Sequence, residues 1–190
     1  MAKVNHYPRK PTRKKKQGIL IIGDESVRNL GTIMNENSDI DAHVVVRGGA
    51  TLGSIGSQIG GDIQRMKGKT DIIICSLGSH ILRSETVYDT KKRANFLIKK
   101  IETFTQNNNI VVGLIGLPPQ REAKINKKVE VNHLIKQRCE RSNSKITFLP
   151  PPLLDEDLGR DGIHAHIGGR RKIAASIRRF TKNCLRLKII

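Results

Sequence analysis

Short runs of aliphatic residues recur along the chain and are separated by longer polar segments. The runs are dense in Ile, Val and Leu and lie at Gly18–Ile22, His43–Arg47, Asp71–Leu77, Ile110–Leu117 and Lys145–Leu149. Most of them lack regular polar alternation, which is typical of strands covered on both faces. The pattern therefore predicts five buried β-strands.

The intervening segments place apolar residues three or four positions apart, as on one face of a helix. Four such faces comprise Ile55, Ile59, Ile63 and Met66; Ala94, Leu97, Ile98, Ile101 and Phe104; Ile125, Val129, Asn132, Ile135 and Cys139; and Ile173, Ile177, Phe180, Cys184 and Leu187. Strands that alternate with helices predict a parallel sheet with right-handed crossovers. We expect a flavodoxin-like α/β sandwich whose five-stranded parallel sheet has the order 2-1-3-4-5. This order would place the loops at 23–28 and 78–82 side by side, at the carboxyl edge where ligands bind.

Length and composition suit one folded domain with a basic extension. The chain has 190 residues, of which 37% are hydrophobic and only 3% aromatic, with no Trp. We predict a flexible basic tail at 1–17 and one domain at 18–190. Neither a signal peptide nor a membrane span is recognisable, so we expect an intracellular protein, cytoplasmic or nuclear. The basic run at 9–16 could be a nuclear-localisation signal or a nucleic-acid arm.

Positive charge is the strongest compositional signal. Lys and Arg total 35 against 17 Asp and Glu, for a net charge of +18. Such an excess attracts polyanions, nucleic acid above all, although a merely solvated surface is the alternative. From residue 160 onward Asp161 is the only acid, and the helical pattern puts Arg171, Arg178 and Lys182 on the exposed side of the last helix. The candidate nucleic-acid-binding residues are Arg28, Arg170, Arg171, Arg178, Arg179, Lys182, Lys14, Lys15 and Lys16.

The cysteines and histidines give no metal-binding signature. Cys75, Cys139 and Cys184 are scattered and show no CxxC spacing, so neither a zinc site nor a disulfide framework is expected. Cys75 lies inside an apolar run and is interpreted as a buried small hydrophobe. A metal held by His80, His164 and Glu25 has no spacing signature behind it. No cofactor is implied.

Four polar segments follow the predicted strands in an informative order. They read GDESVRN at 23–29, RGGATLGSI at 47–55, GSHIL at 78–82 and DGIHAHIGGRRKIA at 161–174. Together they resemble the SGNH (GDSL-type) hydrolase superfamily, in which a GDS turn, a glycine, a GxN turn and a late DxxH follow in this order. The resemblance implies that Asp161 and His164 are the acid and base partners of a serine nucleophile. It also implies that Gly49 and Gly78 belong to the loops that hold the oxyanion.

Two positions depart from the family pattern. Glu25 stands where the family has its nucleophilic serine, and His80 stands where it has asparagine. A carboxylate at 25 would oppose a developing oxyanion, so we predict a degenerate site. Alternatively, a shift by one residue would make Ser26 the nucleophile of an esterase with Asp161 and His164. Glu25 could also form an ion pair with His164.

Two further residues near this site have more than one interpretation. Asp161 could simply cap the last helix. Arg28 could provide an anion site at the mouth of the site or form a surface salt bridge.

The combination of fold, lost nucleophile and basic charge resembles the C-terminal domain of Oskar, a germ-plasm organiser in insects. That resemblance implies a non-catalytic protein that binds RNA. SGNH-like esterase domains of retroelements are also similar, through the run at 129–139 with Asn132 and through the DGIH segment. Three hypotheses therefore stand: a non-catalytic nucleic-acid-binding protein, an esterase or acyl hydrolase, and a protein-interaction module. With few aromatic residues, base stacking should contribute little to any nucleic-acid binding.

Overall fold

A computed structural model describes residues 16–36, 39–49, 51–77, 86–106, 109–120, 125–142 and 145–187. The strands within these residues are β1 (Gln17–Gly23), β2 (Ile40–Val46), β3 (Ile72–Ser76), β4 (Val111–Ile115) and β5 (Ile146–Leu149). The helices are α1 (Leu30–Asn35), α2 (Leu52–Arg65), α3 (Val87–Gln106), α4 (Ile125–Glu140) and α5 (Ile167–Leu187), with short 3-10 helices at Glu25–Val27 and Asp155–Asp157. Tail residues 1–15 lie outside the described residues.

The strands form one parallel sheet of order β2-β1-β3-β4-β5, as expected. In the register of β1, Ile21 lies opposite Val44 on one side and Ile74 on the other. All five strands therefore end at the same edge of the sheet. The segments that leave β1, β2 and β4, together with the loop that precedes α5, gather there.

Alternate side chains of the strands feed two separate cores. Leu20 and Ile22 of β1 pack in the layer of α2, α3 and α4. Ile19 and Ile21, which point to the other face, pack in the layer of α1 and α5. This division follows from the two-residue period of a strand, and it determines which helices share a surface.

Three of the four predicted helix faces agree with the structure. Ile55, Ile98 and Ile177 are completely buried on α2, α3 and α5. The prediction for α4 is wrong in part, because Val129 is 58% exposed while Val131 is buried. Helix α4 is rich in charged residues and carries two alternative apolar rows, and the row that meets the sheet is the one through Val131 and Ile135.

The remaining expectations that bear on the fold concern membranes and cysteines. Within the described residues, no helix is long and apolar enough to cross a membrane. All three cysteines are buried and none forms a disulfide bond. Burial raises the pKa of the Cys75 thiol to about 12 and that of Cys139 to about 11. Neither thiol is ionised at neutral pH, which agrees with the interpretation of Cys75 as a buried hydrophobe.

Candidate functional site

The turn after β1 is built around a buried aspartate. Asp24 is 1% exposed and caps the 3-10 helix Glu25–Val27, because its carboxylate accepts a hydrogen bond from the Ser26 backbone N–H at 3.0 Å. A Cβ on Gly23 would lie 2.8 Å from Val27 and 2.9 Å from Ser76. Glycine is therefore required where this turn passes β3, and the turn has little freedom to shift its register.

Glu25 is the charged side chain of this turn, and Arg28 neutralises it. Nε of Arg28 donates to one carboxylate oxygen at 2.5 Å and Nη2 donates to the other at 2.8 Å, a bidentate pair. The pair with Arg28 lowers the pKa of Glu25, and the charges of His164 and Arg170 lower it further, although burial opposes them. Glu25 is thus an ionised carboxylate. Its ion pair is with Arg28, whereas the sequence suggested His164, and Arg28 forms a salt bridge rather than a vacant anion site.

The turn after β2 lies directly beside Glu25. A Cβ on Gly48 would lie 3.1 Å from Oε1 of Glu25, and Gly49 has the left-handed φ of +65° that favours glycine. Arg47 secures this turn on both sides. Its backbone N–H donates to Gly23 O at 2.8 Å, and its Nη2 donates to the buried Asp62 of α2 at 2.6 Å. The turns after β1 and β2 are therefore held together, with Glu25 beside Gly48.

The loop before α5 contains a complete Asp–His pair. Nδ1 of His164 and Oδ2 of Asp161 lie 2.6 Å apart. Oδ1 of Asp161 accepts from the backbone N–H groups of Ile163 and His164, both at 3.0 Å. Burial tends to raise the pKa of Asp161, but these hydrogen bonds outweigh it and lower the pKa to about 2. An ionised Asp161 orients the imidazole with its proton on Nδ1, which leaves Nε2 as the basic nitrogen.

His166, two residues further on, has a structural role that the sequence did not reveal. Its Nδ1 accepts from the backbone N–H groups of Gly168 at 2.9 Å and Gly169 at 3.3 Å, the first amides of α5. Its Nε2 lies 3.0 Å from Glu156 O. Histidine 166, and not Asp161, therefore caps α5. The position immediately before a helix was the available signal, but histidine is not among the usual capping residues.

Ser26, the alternative nucleophile, points into the protein. The residue is 2% exposed, and its Oγ forms no hydrogen bond with any other described residue. Gly78 and His80 lie outside the described residues, so the predicted third segment of the site is not part of this geometry. Among the residues that the structure describes, no group of three His, Cys, Asp or Glu side chains could hold a metal ion.

Solved structures with the same architecture are esterases and lipases. A family 3 carbohydrate esterase of Clostridium thermocellum superposes with a TM-score of 0.69 at 20% identity, over 91% of this chain and 98% of that one. A GDSL-like lipase of Bacteroides thetaiotaomicron gives 0.67 at 14% identity over 88% and 89%. The esterase EstA of a Pseudoalteromonas species gives 0.65 at 18% identity over 88% and 100%. The chain has the SGNH-hydrolase fold.

Sequence comparison adds nothing to the assignment of this SGNH-hydrolase fold. No protein-family model matches the sequence, and no curated protein matches it. The likeness to the esterases concerns the course of the chain, at identities of 20% or less. What this SGNH-hydrolase fold does must therefore be argued from its own residues.

On this SGNH-hydrolase fold, helix α5 presents an exposed basic face. Arg171, Arg179 and Lys182 are exposed, and none of them forms an ion pair with another described residue. Arg178 corrects the prediction, because it is only half-exposed and its Nη2 donates to the Ile33 carbonyl of α1. Arg178 thus joins α5 to α1 at the point where α1 ends. Arg170 is also half-buried, and its Nε is buried with no hydrogen-bond partner in the part of the chain that the structure describes.

Other basic residues of the SGNH-hydrolase fold lie on the opposite side of the sheet from α5. Lys91 and Lys92 of α3 are exposed in the layer that α3 shares with α2 and α4. Arg65, Lys67 and Lys69, at and after the end of α2, are exposed as well. Exposed positive side chains therefore occur on both layers of helices. Of the predicted tail residues, Lys16 is exposed, and Lys14 and Lys15 lie outside the described residues.

Proposed function

We propose that this protein is a non-catalytic SGNH-fold protein that binds nucleic acid, RNA in preference to DNA, through its basic surface. The observation that carries the proposal is the exposed face of α5. Arg171, Arg179 and Lys182 are free of ion pairs with other described residues on a helix that contains no acid. Cations that lack acidic neighbours remain available to neutralise phosphates and release counterions. The preference for RNA rests on the resemblance to the Oskar domain.

The Glu25 carboxylate supports the absence of ester hydrolysis. A serine at this turn would attack a substrate carbonyl, and negative charge would then develop on the carbonyl oxygen. Glu25 instead brings its own negative charge to within 3.1 Å of the Cβ position of Gly48. Like charge at this point opposes the transition state, and the loss of oxyanion stabilisation costs roughly a hundredfold or more in rate.

RNA affinity of the full chain, measured against salt concentration, tests this proposal. The triple variant R171E/R179E/K182E should bind a single-stranded RNA at least about tenfold more weakly. Its slope of log affinity against log salt should be shallower by about 2, since each lost phosphate contact removes about 0.7. Arg178 is left unchanged because its bond to Ile33 O connects two helices.

A matched control separates the α5 face from net charge. The variant K67E/K69E/K99E makes the same charge change at exposed lysines that lie off α5. Its RNA affinity should fall by less than about threefold. A third variant, K14A/K15A/K16A, measures the contribution of the tail. Absence of salt-dependent RNA binding by the full chain would refute the proposal. Equal losses of RNA affinity in R171E/R179E/K182E and K67E/K69E/K99E would show that α5 is not the binding face.

The second candidate is an ester hydrolase, and one observation favours it. The Asp161–His164 pair has the geometry of a working acid–base dyad at 2.6 Å. In this hypothesis Ser26 is the nucleophile, although its hydroxyl is buried and would first have to turn outward. The hypothesis predicts hydrolysis of p-nitrophenyl acetate by the full chain that disappears in both S26A and H164A. Hydrolysis that survives in either variant would eliminate it.

A further inference from the structure

A groove runs along the line where α3 packs against α4, on the side of the sheet opposite α5. Its volume is about 290 Å³, near the lower end of the range of ligand sites. On the α4 side it is lined from Val131 to Arg141, and ten residues of helix extend about 15 Å. Lys91 of α3 and Arg141, which follows α4, are among its lining residues.

The charged side chains of the described residues that line this groove are all positive. They are Lys91, Arg138 and Arg141. Lys91 and Arg141 are exposed and form no ion pair with any other described residue. Nη2 of Arg138 donates to Glu102 at 3.1 Å, and its side chain is 28% exposed. That bond holds one guanidinium at the groove in a fixed orientation, while the other two cations remain available to an anion.

The surface that a ligand would touch is of mixed polarity, because the half-buried Leu134 lines it beside the polar side chains. Val131 and Ile135 line the groove but are only 1% exposed, so they offer almost no apolar area to a partner. The side-chain amides of Asn95 and Gln137 also line it, and both residues are half-exposed. Amides can donate to phosphate oxygens and can also form hydrogen bonds with base edges.

We infer that the α3–α4 groove is a second nucleic-acid subsite, which takes a short stretch of single-stranded RNA with its phosphates on Lys91 and Arg141. This inference rests on the proposed function and extends it to the other layer of helices. A helix from a partner protein would need an apolar floor, and with Val131 and Ile135 almost fully buried, Leu134 is the one half-buried apolar side chain that could contribute to it. Two cations that form no ion pair with other described residues, together with the two amides, suit a polyanion better. RNA would thus contact both layers of the protein.

The test uses the full chain and the variant K91E/R141E, with K67E/K69E as its matched control. All four lysine and arginine positions are exposed, and both variants change the net charge equally. Affinity for a single-stranded RNA is measured by fluorescence anisotropy at several salt concentrations. The groove variant K91E/R141E should bind RNA at least about fivefold more weakly, and its slope of log affinity against log salt should become shallower by more than 1. The control should lose less than about twofold in affinity. Thermal unfolding monitored by circular dichroism should be unchanged in both variants.

Cross-linking of the wild-type chain provides a second readout that does not depend on any variant. RNA containing 4-thiouridine is irradiated in the complex, and the cross-linked peptides are identified by mass spectrometry. Cross-links within 91–95 or 131–141 would support the subsite. RNA that binds the wild type but cross-links only to α5 or the tail, with equal losses in the two variants, would overturn the inference and leave the proposed function intact.

Two further outcomes would also overturn the inference. Failure of the wild type to bind RNA at all would refute the proposed function together with the subsite. A fluorescent poly-glutamate peptide that binds the wild type more tightly than RNA of equal charge, and loses this affinity in K91E/R141E, would assign the groove to an acidic protein partner instead.

Discussion

The turn at 24–28 and the loop at 161–166 approach the same edge of the sheet but carry different chemical groups. In the loop, Asp161 and His164 stand in the arrangement that would activate a nucleophile. In the turn, a carboxylate paired with Arg28 stands where that nucleophile is expected. One region therefore carries a carboxylate–imidazole pair, and the other carries a carboxylate–guanidinium pair.

An intact Asp–His pair is by itself weak support for catalytic activity. Asp161 accepts two backbone hydrogen bonds within its own loop, from Ile163 and His164, as well as the bond from the imidazole. These bonds shape the segment that leads into α5, whether or not any substrate reacts. The Asp161–His164 pair therefore has a structural role that does not depend on catalysis.

The largest effect is expected from a serine placed at position 25. The substitution E25S removes the opposing charge and places a hydroxyl in the turn that faces the Asp161–His164 loop. Because a positioned general base contributes about a hundredfold to ten-thousandfold, hydrolysis of p-nitrophenyl acetate should rise at least about tenfold above the wild type. Initial rates measured at equal protein concentration test this expectation.

Two control variants show whether any such gain comes from the expected chemistry. E25A removes the charge without supplying a nucleophile, so its rate should stay near that of the wild type. E25S/H164A should lose the gained activity, since the serine then lacks its base. If E25S is no faster than E25A, the two regions do not meet as a catalytic site, and the retained dyad is structural only.

The two histidines of the loop offer a smaller test on stability. His166 caps α5 through two backbone amides, whereas His164 bonds one carboxylate that is 48% exposed. H166A should therefore lower the free energy of unfolding by about 1 kcal/mol, the usual cost of losing a helix cap, and H164A should cost less. Urea denaturation of both variants measures the difference. H166N supplies a good capping residue and should recover part of the loss; a larger cost for H164A would reverse these roles.

Most of the fold could be predicted from the sequence, because buried strands are almost purely aliphatic. The start of β2 at Ile40 was missed, since Asp41 and His43 point outward from an edge strand and interrupt the apolar run. Val129 was chosen over Val131 because both fit a helical row, and only packing against the sheet selects between them. Local spacing therefore identified the elements but not always the face that each one buries.

The candidate site was predictable only where it depends on short-range spacing. Asp161 and His164 lie three residues apart and could be recognised from their order in the chain. The role of Arg178 could not, because its partner Ile33 lies 145 residues away. The burial of Asp62 between Arg47 and Arg65 was missed for the same reason: one partner comes from another element of the fold.

The pH dependence of the free energy of unfolding gives the smallest expected effect, and it tests whether the Asp161 carboxylate stabilises its loop. The folded state lowers the pKa of Asp161 from 3.8 to about 2, so it favours the ionised form. The resulting stabilisation is present above about pH 4 and is lost as the pH falls through 2. D161N keeps an oxygen for the backbone bonds but has no charge, so it should be less stable than the wild type at pH 6. The difference in free energy of unfolding between the two proteins should be under about 1 kcal/mol, because Asp161 is half-exposed. This gap should close below pH 2. Urea denaturation of both proteins between pH 2 and pH 7 measures it; a gap that stays constant down to pH 2 would mean that the carboxylate charge does not stabilise this loop.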